Sequence, residues 1–117
     1  MSGGFGAQTI NHVQRKMNVL SLKKSGLGTP VISGSAASWC DIVDNGAGDY
    51  TINFTQSPFA QVPEVMVTPV TPGTAVAVTA VSILAVTIEV TDLAGAAAEG
   101  DFHVMIIGSL ARDLIGV

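Results

Sequence analysis

Side chains capable of acid–base, nucleophilic or metal chemistry are few in this chain of 117 residues. His12 and His103 are the two histidines, and Cys40 is the single cysteine. No His-x-x-x-His or Cys-x-x-Cys pair is present, so the spacing from which a structural zinc site is built is missing. Alternation along the last strand puts His103 on the face of Met105, which predicts an ordinary strand or interface residue. We therefore expect no bound metal and no cofactor.

A nucleophilic thiol would need Cys40, His103 and one of the acids Asp41, Asp44 or Asp101. No local motif supports that set, and Cys40 lies in an apolar stretch, where a free cysteine usually behaves as a small buried hydrophobe. The serines lack a Gly-x-Ser-x-Gly elbow, and the early glycines lack the lysine of a phosphate loop. The sequence thus predicts no catalytic residue and a protein that is not an enzyme.

Three acids, Asp41, Asp44 and Asp49, flank a turn that contains Gly46 and Gly48. Carboxylates around a turn are potential calcium ligands, but their spacing differs from that of the helix-loop-helix calcium motif. We interpret them as solvated turn residues.

The charges are unevenly distributed along the chain. The net charge is −4 and the pI about 4.7, so no basic field exists to attract nucleic acid. Four of the five cations, Arg15, Lys16, Lys23 and Lys24, precede Asp41, the first acid. This pattern indicates a basic segment attached to an acidic body, either as a solvated arm or as a docking segment.

Secretion and membrane insertion are not predicted. A single cysteine cannot form an internal disulfide, and the N-terminus lacks the apolar run of a secretory signal. The longest apolar stretch, 75–90, is interrupted by polar residues and is shorter than the ~20 residues of a membrane helix. We expect synthesis in a cytoplasm and no membrane partner.

The body of the chain has the period of two that is typical of strands. Tyr50, Ile52 and Phe54 alternate with polar residues, which places one face in a core. Thirteen glycines and five prolines separate the short apolar runs. A reversal without glycine between two of the runs exposes Ile83 and Leu84, so we expect a neighbouring subunit to cover them. The predicted strands are 38–43, 50–55, 64–70, 74–81, 85–91 and 101–107.

The N-terminal quarter is less regular. Ile10, Val13, Met17 and Leu20 have helical spacing, whereas 17–22 also fits a strand. We predict an extended or partly helical basic arm and linker over residues 1–30. Residues 31–117 are predicted to form an all-β domain, an antiparallel β-sandwich of jelly-roll-like type.

Two segments carry a resemblance to a known group of proteins. GDYTINF at 48–54, followed by PF at 58–59 and PEVMVTP at 63–69, resembles a strand pattern of small β-sandwich modules in virion proteins of tailed bacteriophages. GDFHVMIIGS at 100–109 is similar to the closing strand of those modules, which occur in head decoration proteins and at fibre tips. The resemblance covers residues 46–109.

The resemblance implies a non-enzymatic structural protein of a phage particle. Two roles are compatible with it. The first is a capsid decoration, or cement, protein that forms a homotrimer and docks through its arm on the major capsid protein or another virion protein. The alternative is a receptor- or glycan-binding module at a tail fibre or spike tip, for which Trp39, Tyr50 and Phe59 are the aromatic candidates. The predicted capsid or subunit contacts are Arg15, Lys16, Met17, Val19, Leu20, Lys23, Lys24, Ile83 and Leu84.

Overall fold

The computed structural model describes residues 17–26, 29–56 and 58–109. These residues form eight β-strands in two four-stranded antiparallel sheets, which confirms the predicted all-β sandwich. The strands are β1 (Met17–Ser25), β2 (Val31–Ser33), β3 (Cys40–Gly46), β4 (Asp49–Phe54), β5 (Glu64–Pro69), β6 (Thr74–Val81), β7 (Ala85–Asp92) and β8 (Phe102–Ser109).

Sheet A has the strand order β2-β1-β8-β5, and sheet B has the order β3-β4-β7-β6. The first and last strands are neighbours in sheet A, where Met17 pairs with Ser109 and Lys24 pairs with Phe102. Sheet B is built from the β3–β4 and β6–β7 hairpins, joined by the pairing of β4 with β7. Residues distant in sequence are therefore brought side by side mainly in sheet A.

The core fills the space between the two sheets with one face of each strand. Tyr50, Ile52 and Phe54 point inward from β4, as their alternation predicts, and all three are buried. The rings of Tyr50 and Phe102 meet edge to face with centroids 5.6 Å apart, and those of Phe54 and Phe59 do so at 5.0 Å. Burial of each large apolar side chain contributes about 1.5–3 kcal/mol. Further core residues are Leu22, Ala36, Val86, Ile88, Val90, Val104 and Ile106.

The turn between β3 and β4 depends on one glycine. Gly48 has φ +71°, and a Cβ at this position would lie 2.3 Å from the carbonyl oxygen of Val90. A side chain there would meet both backbone strain and a fixed neighbouring strand. The hairpin predicted around this turn therefore requires a residue without a side chain at position 48.

The boundary predicted at residue 30 does not hold. Met17–Ser25 is a strand inside the sandwich, hydrogen-bonded to β2 on one side and β8 on the other, with Leu22 and Lys24 buried. The adjacent lysines hide its period of two, because one of them points into the core. Of the expected helical face, Leu20 lies in this strand, whereas Ile10 and Val13 belong to residues 1–16, outside the described residues.

Candidate functional site

The outer face of sheet A is the candidate binding surface. On β1 the outward side chains are Val19, Ser21 and Lys23, because Leu22 and Lys24 point inward. Ser21 pairs with Met105 of β8, which pairs in turn with Met66 of β5. Antiparallel pairing thus lines up one row of side chains across three strands.

A second row lies beside the first and is polar. Lys23 pairs with His103, and His103 pairs with Thr68 on β5. On the other side of the row formed by Ser21, Met105 and Met66, Val19 pairs with Ile107. The outer face of sheet A therefore presents an apolar strip with a cation and an imidazole along one border.

An open cavity of about 370 Å³ lies on this face. Met66 and Met105, on its lining, are 50% and 43% exposed, and Val19 nearby on the same face is 63% exposed. Contiguous exposed apolar surface is typical of an interaction site, and methionine side chains adapt readily to the shape of a partner. The cavity is lined by Ser21, Leu22, Lys23, Gly34, Met66, Thr68, His103, Val104 and Met105.

The outer face of sheet B has a different chemical character. Small and polar side chains hydrogen-bond across it: the Asn53 amide donates to Asp41 at 3.2 Å, and the Asn45 amide donates to Thr51 Oγ1 at 2.8 Å. Val43, at 44%, is the most exposed large apolar residue of β3. A docking surface built on apolar contact is therefore better placed on sheet A.

Lys24 is not available as a docking cation, which corrects the sequence-based assignment. Its side chain is fully buried, and Nζ donates to the carbonyl oxygen of Gly100 at 2.9 Å and to Asp101 Oδ1 at 3.3 Å. Nζ also lies 4.6 Å from the centroid of the Tyr50 ring, in cation–π contact. A buried ammonium needs such partners, because its removal from water is costly.

The Tyr50 hydroxyl extends this buried polar cluster. It donates to Glu99 Oε1 at 2.8 Å, and Glu99 Oε2 accepts from the backbone N–H of Gly48 at 3.3 Å. Burial, and then the hydrogen bond to Glu99, raises the pKa of Tyr50 well above its ordinary value. The phenol therefore remains a protonated donor, which suits a structural role.

The remaining predicted contacts of the first segment separate into three groups. Arg15 and Lys16 lie outside the described residues, and Met17 begins β1 opposite Ser109. Val19 and Lys23 lie on the outer face of sheet A, as a contact surface requires. Leu20 points the other way and packs, half-buried, against the core.

Ile83 and Leu84 occupy the predicted reversal between β6 and β7. They are 38% and 54% exposed. Ser82 organises the turn, because its hydroxyl oxygen accepts from the backbone N–H groups of Leu84 and Ala85 at 3.1 and 3.2 Å. A side-chain acceptor thus replaces the glycine that such a reversal usually uses.

The residues of the possible thiol centre lie on different sheets. Cys40 belongs to β3 in sheet B and packs against the core, whereas His103 lies on the outer face of sheet A. Burial, and then the charge of Asp41, raises the pKa of Cys40 to about 11, which keeps the thiol protonated at neutral pH. Within residues 17–26, 29–56 and 58–109, no three His, Cys, Asp or Glu side chains gather as a metal site would require.

Sequence reasoning did not identify Met66, Met105 and His103 as parts of one surface. The alternation of β8 indicated that His103 and Met105 share a face, but their pairing with β1 and β5 depends on sheet order.

Among the described residues, no helix has the length and apolar character needed to cross a membrane. Comparison with family models, curated proteins and solved structures found no match to this chain.

Proposed function

We propose that this chain is a non-enzymatic structural protein of a bacteriophage particle, a capsid decoration protein that assembles as a homotrimer. The outer face of sheet A docks on the major capsid protein or another virion protein, and the β6–β7 turn with Ile83 and Leu84 joins subunits. The observation that carries the proposal is the exposed apolar strip of Val19, Met66 and Met105 beside an open cavity.

Two further features support binding rather than catalysis. The strand pattern of residues 46–109 favours a role in a phage particle, because it resembles the modules of decoration proteins and fibre tips. The buried polar residues Lys24 and Tyr50 are occupied by partners within the chain. A protein surface fits the strip because apolar contact supplies most of the holding energy of interfaces, whereas an exposed charge pair adds about 0.2–1 kcal/mol.

The glycan-binding alternative is less well supported by the aromatic residues. Tyr50 is fully buried and Phe59 is 4% exposed, so neither ring is free to stack on a sugar. Trp39 is partly buried and packs against the core. Aromatic platforms are the usual basis of sugar stacking, and this chain offers one partly exposed ring at most among its three candidates.

Immunogold labelling of purified particles of the encoding phage tests the location. Gold distributed over the head surface is the expected result. Gold confined to tail tips would replace decoration by the fibre-tip role, and particles without label would refute a virion function.

Binding of recombinant variants to heads that lack the protein tests the surface. Met105→Glu places a charge in the strip and should weaken co-sedimentation at least tenfold, because burial of an unpaired charge is costly. Val43→Glu is the matched control, since Val43 is equally exposed on the outer face of sheet B. Equal binding by the two variants would assign docking to another surface.

A further inference from the structure

Lys24 is the fully buried charged residue among the described parts of the chain, and its environment is unusual for an ion pair. Nζ lies 3.3 Å from Asp101 Oδ1, beside the rings of Tyr50 and Phe102, whose centroids are 4.6 and 5.9 Å away. The Asp101 side chain is 27% exposed. A fully buried amino group thus meets a carboxyl group that is partly exposed to solvent, next to two aromatic rings.

The backbone of Asp101 is held by the segment that follows β5. Its N–H donates to Thr71 Oγ1 at 2.8 Å, and its carbonyl oxygen accepts from Val70 N–H at 2.9 Å. Lys24 is fixed in the same way, because β1 pairs with β8 along eight consecutive residues and Nζ also donates to Gly100. The two reacting groups therefore have little freedom to move apart.

We propose that Lys24 and Asp101 join in an intramolecular isopeptide bond between Nζ and Cγ. The Lys24 ammonium transfers a proton to the Asp101 carboxylate, and the resulting amine attacks Cγ of the carboxylic acid. A C–N bond forms and the C–OH bond breaks. The departing hydroxyl takes a proton from the attacking nitrogen and leaves as water, so no oxidant, reductant or further reactant is required.

Positioning is the physical reason that the pair reacts here and not in free solution. Intramolecular groups held in reacting geometry reach effective concentrations of about 10⁵–10⁸ M, which favours an amide that dilute amines and acids do not form. Apolar surroundings disfavour the charged ammonium and carboxylate of the reactants, whereas the amide product is neutral. The exposed side of Asp101 lets the product water escape.

The bond would tie β1 to the residue that immediately precedes β8, 77 positions later in the chain. A covalent link over so long a loop restricts the unfolded chain, as a disulfide does, yet is insensitive to reductant. This inference is independent of the proposed function, because it concerns the body of the sandwich and not the docking surface.

Intact-protein mass spectrometry of the purified, folded chain after denaturation tests the bond. The expected mass is lower than that of the unmodified chain by one water molecule. Lys24→Arg keeps the charge but cannot form this amide, and Asp101→Ala removes the acceptor carbon, so both should retain the full mass. A wild-type chain of full mass after prolonged incubation in the folded state would overturn the proposal, whatever the variants do.

Digestion after glutamate distinguishes the amide from a succinimide of the same mass. Cleavage at Glu64, Glu89 and Glu99 puts Lys24 in fragment 1–64 and Asp101 in fragment 100–117. The isopeptide bond should join these two fragments, with fragmentation spectra locating the link at the two named side chains. Loss of water with the two fragments separate would overturn the assignment.

Discussion

The buried polar side chains of this core are stabilised by hydrogen bonds and ring contacts to their neighbours. Lys24 is buried because Gly100, Asp101 and the ring of Tyr50 replace the water that it loses. Tyr50 in turn delivers its hydroxyl to Glu99. Replacing one member leaves another buried group unpaired, which typically costs about 1–3 kcal/mol and more for a charge. Measuring the ionisation of one of these residues therefore tests whether its hydrogen-bond partners are in place.

Tyr50 is the only tyrosine, so tyrosinate absorbance reports this side chain alone. Because burial and Glu99 raise the pKa of the folded-state phenol, we expect no ionisation of the native protein near pH ~10, the value of a free tyrosine. The stability contributed by the protonated phenol is fully present below that pH and is lost as pH rises beyond it, since the unfolded chain then releases a proton that the native state retains.

A spectrophotometric titration with parallel circular dichroism measures this. The absorbance change should coincide with loss of the β-sheet signal, and the chain in guanidinium should titrate near pH ~10. Ionisation near that pH with the fold intact would contradict the buried hydrogen bond to Glu99.

Cys40 should be slow to react in the folded protein. Its pKa of about 11 lowers the thiolate concentration at pH 8 by roughly two orders of magnitude relative to a free cysteine. Alkylation by iodoacetamide, followed by mass spectrometry, should accelerate by about that factor when guanidinium is added. Cys40→Ser is the blank. Equal rates in the native and denatured chains would show that Cys40 is an exposed, ordinary thiol.

At the scale of elements, β1 is the strand that most changes the organisation expected from sequence. It supplies Leu22 and Lys24 to the interior and lies beside β8, opposite β5, in the strand order of sheet A. Truncating a buried leucine to alanine already costs about 2–5 kcal/mol, against a total stability of about 5–15 kcal/mol. β1 therefore belongs to the folding unit.

Deletion of residues 1–25 should abolish cooperative folding, because β8 loses a partner along its whole length. A chain that starts at Met17 is the matched control, since it keeps the pairing of β1 with β2 and β8, and it should retain a cooperative thermal transition. Circular dichroism melts of the two proteins provide the measurement. A soluble, cooperatively melting protein without residues 1–25 would show that β1 is a dispensable arm.

At the scale of the whole molecule, the chain has few charged residues relative to its apolar content. Charged residues make up 12% of the chain and apolar residues 48%, with a mean hydropathy of +0.52. A domain of this size has a large surface relative to its core, so association is the expected way to remove the excess apolar area from water. The exposed residues of the β6–β7 turn are the proposed place for contact between copies.

Multi-angle light scattering at micromolar concentration should give the mass of a trimer. Leu84→Asp should lower that mass, because it introduces a charge into the proposed contact between subunits. Leu93→Asp is the control, since Leu93 is 79% exposed and lies outside that turn. A monomeric wild-type protein, or dissociation by Leu93→Asp alone, would contradict the assigned interface.

The sequence by itself determined the strands of the body and, for β4 and β8, which side of the strand faces the core. Alternation within β4 is a local property, since neighbouring side chains on a strand point to opposite sides. Together with the spacing of turn residues, it predicted β5, β6, β7 and an antiparallel sandwich within a residue or two at most ends. These conclusions needed no knowledge of which strands are neighbours.

Only the tertiary structure decided that β1 lies beside β8 and that Lys24 meets Asp101, 77 residues later. The same pairing places Ser21, Met105 and Met66 in one row and creates the candidate surface. Lysine on a strand ordinarily faces water, and its inward orientation here depends on acceptors and aromatic rings from two other parts of the chain, residue 50 and residues 100–102. Such long-range partners leave no periodicity in the sequence, because their contact arises from sheet order and register.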